Sequence, residues 1–476
     1  MKALLEFYRC PESFTTFKMA QDLSPTPDYF RFGSGAVCYG QSSLASKASE
    51  PRNRLRNLSE HVAAKGSRVT LPFNPSQVVD NLRLERYARN GYAGKQTVLS
   101  NRALQKVYYS LRPLLHVSLR KHLQQFCFRN WRDLSFPTWP VDRSVENIFE
   151  SLLSLSMKAQ RTERIPFIWF WPEGASGCAI MTHDVETRTG ASFVSRLMDI
   201  DDEFGIKASF QIVPEKRYPV PASLQNEIRG RGFELNVQDL NHDGNLFDNR
   251  AKFFSRAGAI NRYVHEYGAQ GFRAGSMYRN PEWYRALDIS YDMSIPNVAH
   301  LEPQRGGCCT VFPYFIGSIL ELPLTTTQDY SLFHILGSYS TELWKKQISL
   351  ITEKYGLVSF IVHPDYVKEK RALEVYRGLL AHLSVLRDQE NVWTPLPQDV
   401  NRWWRQRSRM KLVRHGNTWQ IEGPGSERAR LAYASLEGDR VVYTLERQGY
   451  ERDSHPYADR EAKLATDRPM PSRSYK

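Results

Sequence analysis

Four short groups of polar residues each follow an apolar run that is typical of a buried strand. They are THDVE at 182–186, QDLNHDG at 238–244, RAGSMYRN at 273–280 and HPD at 363–365. Because the carboxyl ends of parallel strands meet at one edge of a sheet, we expect the four groups to lie together. Carboxylates, imidazoles and a guanidinium are suited to acid–base or metal-assisted hydrolysis. Each group alone is also explained by helix caps, core histidines or ion pairs.

The first group carries two carboxylates two residues apart. Side chains alternate along an extended segment, so Asp184 and Glu186 are expected on one side and Val185 on the other. Two carboxylates on one side can divide the work: one holds a metal ion and the other acts as general base on its water.

The second group places Gln238 and His242 four residues apart, which puts both side chains on one face if the turn is helical. We expect His242 to be a metal ligand through a neutral ring nitrogen. Asp239 or Asp243 could orient that ring from behind.

The third and fourth groups supply cations. Arg273 could hold a general base ionised, and the turn at Ser276 could present a backbone N–H to a developing oxyanion. A structural ion pair is the alternative for Arg273. His363 ends a fully apolar strand, and its pKa near neutrality suits a general acid that protonates a leaving group.

Two polar segments, 291–315 and 321–333, are predicted to border the same edge and to form a substrate cleft. Turn and capping roles are the alternative for their polar side chains. The candidate substrate contacts are Ser276, Tyr278, Asp292, His300, Gln328 and Asp329.

Short β-type runs alternate with amphipathic helical segments over the middle of the chain, which predicts an α/β fold with a parallel sheet long enough to curl into a barrel. The predicted strands are 178–184, 208–214, 233–238, 271–275, 318–324, 357–364 and 391–396. The predicted helices between them are 192–204, 221–231, 249–268, 341–356 and 370–389.

The remaining parts of the chain differ from the middle in their residue patterns. We expect an irregular region at 1–100, a basic helical lead-in at 101–164, the barrel at 165–405, a small antiparallel β appendage at 410–450 and a disordered tail at 451–476. Asp142 or Ser144 could cap a helix in the lead-in. The basic stretch 101–132 could dock as a helix or contact an anionic membrane.

Composition excludes several classes of protein. The 476 residues are 41% hydrophobic with a net charge of +13, which excludes collagen-like and wholly disordered chains. Six scattered cysteines favour a reducing compartment, and the N-terminal residues contain no apolar signal run, so a cytoplasmic location is expected. Nucleotide-binding and serine-hydrolase motifs are missing, and the charge alone does not favour nucleic acid as a partner.

The order THDVE, NVQDLNHDG, GFRAG and SFIVHP resembles the polysaccharide deacetylases of carbohydrate esterase family 4, the NodB-homology domain. The resemblance covers about residues 165–395. It implies a distorted (β/α)7 barrel. It also implies a metal-dependent hydrolase that removes the N-acetyl group of an amino sugar in a polysaccharide or glycan precursor.

The resemblance also implies roles for individual residues. Asp184 falls on the family's catalytic base, and Arg273 on the arginine that braces it. Glu186 falls where some members bind metal, His242 on the second histidine ligand and His363 on the general acid. The implied cofactor is a divalent metal, with Zn expected and Ni, Co or Fe as alternatives.

This chain departs from the family pattern at three places. Gln238 stands where the first histidine ligand is expected, Val185 where most members have a metal-binding aspartate, and Gly275-Ser276 where a Pro-aromatic pair follows the arginine. An amide oxygen binds divalent metals less well than imidazole, so metal affinity should fall unless Asp239 or Asp243 compensates. The alternative function is a barrel without catalysis that binds glycans or assists assembly.

Overall fold

The computed structural model describes residues 2–44, 51, 55–89, 130–416 and 418–446. Most of the basic stretch 101–132 and the whole of the tail 451–476 lie outside these ranges. The membrane contact expected of the first and the disorder expected of the second therefore stay predictions.

The first part of the chain, expected to be irregular, contains short helices and strands packed on the rest of the protein. They are α1 (Lys2–Tyr8), β1 (Phe17–Met19), β2 (Asp28–Phe32), β3 (Ala36–Gly40), β4 (Ala63–Lys65), β5 (Arg68–Leu71), α2 (Pro75–Arg83) and α3 (Arg86–Arg89), with 3-10 turns at Glu12–Thr15 and Ser59–His61. Phe7 packs against Phe149 and Phe312, with ring centroids 4.6 and 4.9 Å away. Elements this short show too little periodicity for a sequence pattern to reveal them.

A longer helix leads into the sheet. After a 3-10 turn at Trp131–Asp133, helix α4 (Ser144–Gln160) begins two residues after Asp142, whose Oδ1 accepts a hydrogen bond of 2.8 Å from the Ser144 N–H. Strand β6 (Arg164–Ile168) follows. Asp142 therefore helps to start the helix, as the sequence indicated.

The middle of the chain alternates strands and helices at nearly all the predicted positions. The elements are β7 (Gly177–Val185), α5 (Arg188–Ala191), α6 (Val194–Glu203), β8 (Ala208–Ile212), α7 (Ala222–Gly230), β9 (Glu234–Gln238), α8 (Arg250–Glu266), β10 (Gly271–Arg273), β11 (Tyr291–Asp292), β12 (Tyr314–Ile316), β13 (Ile319–Glu321), α9 (Glu342–Thr352), β14 (Leu357–Val362), α10 (Lys370–Glu390), β15 (Val392–Trp393) and α11 (Pro397–Arg409). Single turns lie at Pro172–Gly174, Gly275–Met277, Pro281–Ala286 and Ser331–Ile335.

These strands form one curled sheet in the order β12-β13-β11-β10-β9-β8-β7-β14, and β15 also pairs with β7. All neighbours are parallel except β12 and β13. Thr325 and Thr326 link the chain after β13 to β14, because their hydroxyls donate to the Leu357 and Ser359 carbonyls over 2.8 and 2.7 Å. The expected α/β barrel of the (β/α)7 type is thus confirmed, with an open seam bridged by side chains. Strand β11 was not predicted, because two residues are too few to show alternation.

Side chains alternate along β7 as expected. Thr182 and Asp184 face the interior of the curled sheet, whereas His183 faces the helices and contacts Asp201 of α6, with 2.9 Å between Nε2 and Oδ2. Val185 is fully buried on that outer side. The interior side of β7 therefore carries the first polar group into the site.

The end of the described chain forms antiparallel strands: β16 (Lys411–His415), β17 (Thr418–Glu422), β18 (Leu431–Glu437) and β19 (Arg440–Leu445), with a 3-10 turn at Ser426–Arg428. Strand β18 pairs with β19 on one side and with β6 on the other. The C-terminal strands are therefore joined by hydrogen bonds to the segment that leads into the barrel. Within the described ranges, no helix has the length and apolar character needed to span a membrane.

Candidate active site

The first two polar groups meet through an amide. Gln238, the last residue of β9, donates from Nε2 to Asp184 Oδ2 at 3.2 Å and to Glu186 Oε1 at 2.9 Å. All three side chains lie at the carboxyl edge of the sheet. The alternation predicted for Asp184 and Glu186 is therefore what allows one amide to bridge both carboxylates.

Glu186 lies at the centre of the cluster. Its Oε1 is 2.7 Å from His242 Nε2 and 3.6 Å from His363 Nε2. Burial alone would raise the pKa of this carboxyl, but the two imidazoles outweigh burial and hold the pKa well below its ordinary value. The two histidines therefore favour the ionised form of Glu186.

A divalent metal fits this donor set. Ligand atoms of Asp184, Glu186 and His363 all lie within 4.8 Å of one another. Asp184 Oδ1 and Gln238 Oε1 are buried and have no hydrogen-bond partner among the described residues. Buried carboxylate and amide oxygens left unpaired beside imidazoles are the groups that a cation satisfies. The metal set expected from the sequence was Glu186, His242 and Gln238; the structure adds Asp184 and His363 to the same cluster.

Asp184 is buried, and its surroundings push its pKa in both directions. Burial raises the pKa of the carboxyl most strongly; Arg273, His363 and His242 lower it, and Glu186 raises it. The result is a pKa above the ordinary value. A carboxylate in such a setting accepts a proton more readily than an exposed one.

Arg273 is fully buried at the end of β10. Its Nη2 donates to Thr182 Oγ1 at 2.9 Å, and its Nε and Nη1 have no hydrogen-bond partner in the described part of the chain. Arg273 lowers the pKa of Asp184 through space rather than through an ion pair, since no carboxylate of a described residue lies within 4.0 Å of it. The effect of Arg273 on Asp184 in this structure is therefore electrostatic.

His363 is held by a carboxylate that the sequence suggested only as a substrate contact. Asp329 Oδ1 lies 2.6 Å from His363 Nδ1, and its Oδ2 accepts the His363 backbone N–H at 2.7 Å. Burial lowers the pKa of His363, but Asp329 and then Glu186 raise it well above the ordinary value. Because Asp329 has no exposed surface, it is positioned behind His363 rather than in an open cleft.

The loop after β9 is strained where it presents His242. Asp239 and His242 have φ values of +51° and +53°, in the left-handed region that non-glycine residues seldom adopt. Asp243 is paired with Arg256, with 2.6 Å between Oδ2 and Nη2. Of the two carboxylates expected to orient His242, Asp243 is thus engaged by Arg256. Asp239 is the one that is left to orient the ring.

Gly275 explains one departure from the family pattern. A Cβ atom at this position would lie 2.4 Å from Asp239 Oδ2 and 3.1 Å from His242 Cδ2. No side chain fits while those two residues keep their places. Ser276 follows with φ of +54°, and Tyr278 is half-buried at the end of the turn.

The other expected substrate contacts are enclosed. Asp292 is fully buried, and its Oδ1 accepts a hydrogen bond of 2.7 Å from Ser294 Oγ. Asp292 also shares a hydrogen bond with Glu321, and burial raises the pKa of both carboxyls. Glu321, at the end of β13, was missed, although a carboxylate at a strand end is the signal that identified Asp184.

Two more residues of the predicted cleft contact other groups. Gln328 is half-buried and donates from Nε2 to Glu302 Oε2 at 2.7 Å. Burial raises the pKa of Glu302, a residue that no sequence pattern indicated. His300 is buried and stacks on Trp139 with 5.8 Å between ring centroids. Gln328 is thus the expected contact of segment 321–333 that remains partly accessible.

Comparisons with known proteins find likeness in structure only. No family model and no curated protein matches the sequence. A solved structure assigned as a polysaccharide deacetylase from Mycobacterium smegmatis has 17% identity and a TM-score of 0.40, covering 50% of this chain and 93% of its own. Puue allantoinase has 12% identity and a TM-score of 0.40, covering 49% of this chain and 92% of its own. A polysaccharide deacetylase assigned from Pseudomonas aeruginosa PAO1 has 13% identity and a TM-score of 0.38, covering 49% and 92%.

Proposed function

We propose that this protein is a metal-dependent hydrolase of a non-peptide amide bond that removes the N-acetyl group from an amino sugar in a polysaccharide or glycan precursor. The observation that carries the proposal is that the residues proposed as base, metal ligand and acid, Asp184, Glu186 and His363, are brought together, with ligand atoms within 4.8 Å of one another. The class of substrate comes from the resemblance of the four motifs. A substrate of that class is consistent with a cytoplasmic site of action, as expected from the cysteines.

Glu186 and His242 are the residues proposed to hold the metal, with the amide oxygen of Gln238 as a weaker third ligand. A divalent ion bound there supplies Lewis-acid polarisation of the amide carbonyl and lowers the pKa of water. We expect Zn, with Ni, Co and Fe as alternatives, because carboxylate and imidazole donors suit all four.

Asp184 is proposed as the general base. Its Oδ1 is buried and has no hydrogen-bond partner among the described residues, so it is free to take a proton from the attacking water. Loss of that proton allows the water oxygen to form a bond with the amide carbon. Arg273 favours the charged form of Asp184 before the proton arrives.

His363 is proposed as the general acid. Its Nδ1 is bonded to Asp329, so its Nε2 faces the cluster, 3.6 Å from Glu186 Oε1. A proton given from Nε2 to the nitrogen of the substrate lets the C–N bond break, and the products are acetate and a free amine. The backbone N–H near Ser276 is proposed to bind the oxyanion, and the half-buried Tyr278 and Gln328 are proposed as substrate contacts, whereas the expected contacts Asp292 and Asp329 are enclosed.

A second function is favoured by Gln238. Its amide donates to both Asp184 and Glu186, so each carboxylate has a hydrogen-bond partner within the protein. A site satisfied in this way suits a barrel that binds glycans and does not hydrolyse them. This candidate predicts sugar binding without bound metal and without turnover.

Metal content measured by elemental mass spectrometry, together with acetate release from N-acetylated oligosaccharides, separates the two functions. We expect about one metal ion per chain in the wild type, a loss in His242→Ala and no loss in His265→Ala, a matched control at an exposed histidine. Asp184→Asn should keep the metal and lose acetate release. A metal-free wild type after reconstitution would favour the binding function, and metal loss in Asp184→Asn would move Asp184 from base to ligand.

A further inference from the structure

A cavity of about 560 Å³, separate from the candidate active site, lies between α1, the end of α2, strand β12 and the end of α11. None of the residues proposed for the active site lines it. Its wall contains three arginines, Arg9, Arg83 and Arg407, and four aromatic residues, Phe7, Tyr314, Phe315 and Trp404.

Arg407 is almost completely buried. Its hydrogen bonds go to backbone carbonyl groups, and its guanidinium lies over the rings of Phe170 and Trp404, 5.5 and 5.1 Å from their centroids. Its Nε donates to Trp169 O at 2.8 Å, and its Nη2 donates to Phe7 O at 2.8 Å and to Ile168 O at 2.7 Å. Burial, with Arg9 nearby, lowers the pKa of Arg407 to about 9. These contacts fix the guanidinium in place but leave its charge without a carboxylate.

The other two arginines are also without an acidic partner. Arg9 donates from Nη2 to Met410 O at 2.6 Å, and its buried Nε has no partner. Arg83 lies over the rings of Phe149 and Tyr314, 5.5 and 5.2 Å from their centroids, and its Nε is buried without a partner. Among the described residues, the Nη1 group of Arg9 and both Nη groups of Arg83 make no hydrogen bond, which leaves them for a ligand.

The acids in this neighbourhood, including Glu6 and Asp80 in the cavity wall, act on Arg9 and Arg83 through space and not through ion pairs. No carboxylate of a described residue lies within 4.0 Å of any of them. Glu6 is 3.6 Å from Lys2 at the exposed rim, and Asp80 is exposed. Glu146 interacts with Arg83 through space, but its Oε1 accepts from Thr310. Buried cations without a counter-ion are costly to the fold, and a bound anion would relieve that cost.

We propose that this cavity binds an organic phosphate, with the phosphate on Arg9, Arg83 and Arg407. The guanidinium fork matches the oxygens of phosphate and carboxylate groups, and three guanidiniums favour an anion with more than one charge, which a phosphate carries. The cavity is several times larger than a single phosphate group, so the ligand carries a further part. The rings of Tyr314, Phe315 and Trp404 offer an apolar surface for that part.

Calorimetric titration of the full chain with inorganic phosphate and with pyrophosphate tests the proposal. We expect saturable binding of both, tighter for pyrophosphate, and about a 10- to 100-fold loss of affinity in Arg83→Met, since a charge-assisted hydrogen bond to an ion is worth that much. Arg231→Met is the matched control, because it removes an arginine from a remote ion pair with Asp202. Its affinity should equal that of the wild type.

A second variant and a vesicle-binding measurement complete the test. Should Arg83→Met fail to fold, Arg9→Met at the more open part of the wall should show the same loss. Vesicles with and without an anionic phospholipid distinguish a lipid headgroup from a soluble phosphate as the source of the ligand, and either source supports the site if binding depends on Arg83 or Arg9. No saturable binding by any of the three probes, or binding that both variants retain, would overturn the proposal.

Discussion

Glu85 and Arg279 form a buried ion pair between the N-terminal region and the loop that follows β10. Glu85 Oε2 accepts from Arg279 Nε at 2.8 Å, and Glu85 Oε1 accepts from Arg279 Nη2 and from the Gly307 N–H, the latter at 2.6 Å. Arg279 also donates from Nη1 to Met277 O at 2.7 Å. Glu85, between α2 and α3, thus holds two loops, one of which carries Ser276 and Tyr278 beside the candidate site.

Loss of this carboxylate should destabilise the protein strongly. Glu85→Gln leaves Arg279 buried without a counter-ion, and we expect the free energy of unfolding to fall by about 3–5 kcal/mol in denaturant titration. Arg377→Gln, which breaks an ion pair with Glu203 at the surface, should leave the unfolding midpoint unchanged.

The double variant Glu85→Leu, Arg279→Met identifies the cause of the stability loss in Glu85→Gln. It removes both charges, so it should recover most of the stability lost in Glu85→Gln. A double variant as unstable as Glu85→Gln would mean that the hydrogen bonds to Gly307 and Met277, and not the unpaired charge, carry the effect.

Gly275 gives a prediction about the metal site. Gly275→Ala places a methyl group 2.4 Å from Asp239 Oδ2, so Asp239 and His242 must move. We expect metal affinity to fall about 10- to 100-fold, the range seen when groups that orient a ligand are disturbed. Gly258→Ala, in α8 with nothing within 4 Å, should keep metal affinity and gain about 0.5–1 kcal/mol of stability. Unchanged metal affinity in Gly275→Ala would contradict the assignment of His242 as a ligand.

Gln238→His restores the imidazole that the motif pattern expects. It also removes an amide that donates to Asp184 and Glu186. Because imidazole is a better ligand than an amide for Zn and its neighbours, we expect metal to bind at least about 10-fold more tightly in competition with a chelator. Gln238→Ala is the control that removes the amide without adding a ligand. Equal affinity in the two variants would show that position 238 does not reach the metal.

Much of the fold and part of the site follow from the sequence in physical terms. Strand alternation placed Asp184 and Glu186 together, and apolar runs located β7 and β14 within two residues. The pairing of Asp329 with His363 joins positions 34 residues apart on different elements, and no local pattern encodes it. Glu85 is 194 residues from Arg279 and follows a region whose elements are too short to recognise. Contacts between residues that are distant in the sequence are therefore what local patterns could not predict.

The pairing of Asp329 with His363 predicts a loss of turnover. Asp329→Asn replaces an acceptor that fixes the ring and favours its protonated form, so we expect kcat to fall about 100-fold or more with little change in KM. Asp201→Asn is the matched control, since Asp201 holds His183 at 2.9 Å on the outer side of β7. It should reduce stability and leave kcat unchanged. A similar fall of kcat in both variants would assign the effect to general loosening of β7.

Glu234, at the opposite end of β9 from Gln238, gives a prediction about pH. Its Oε1 accepts from Tyr291 Oη and from Asn236 Nδ2, the latter at 2.9 Å, and its Oε2 accepts from the Gln398 N–H at 3.1 Å. Burial nevertheless raises the pKa of Glu234 from 4.5 to about 7. Between those two values the folded chain keeps the proton that the unfolded chain has released.

Stability should therefore fall as pH rises from about 4.5 to about 7, because the folded state binds more protons in that window. Glu234 contributes a slope of about −1.4 kcal/mol per pH unit to the free energy of unfolding. In Glu234→Gln that contribution disappears. The free energies of unfolding of wild type and variant, measured by denaturant titration at several pH values, should therefore differ by an amount that changes steadily between pH 4.5 and 7. Glu266→Gln, at an exposed position on α8, should follow the wild type at every pH. A constant difference between wild type and Glu234→Gln would mean that Glu234 is ionised in the fold, and that its three donors outweigh its burial.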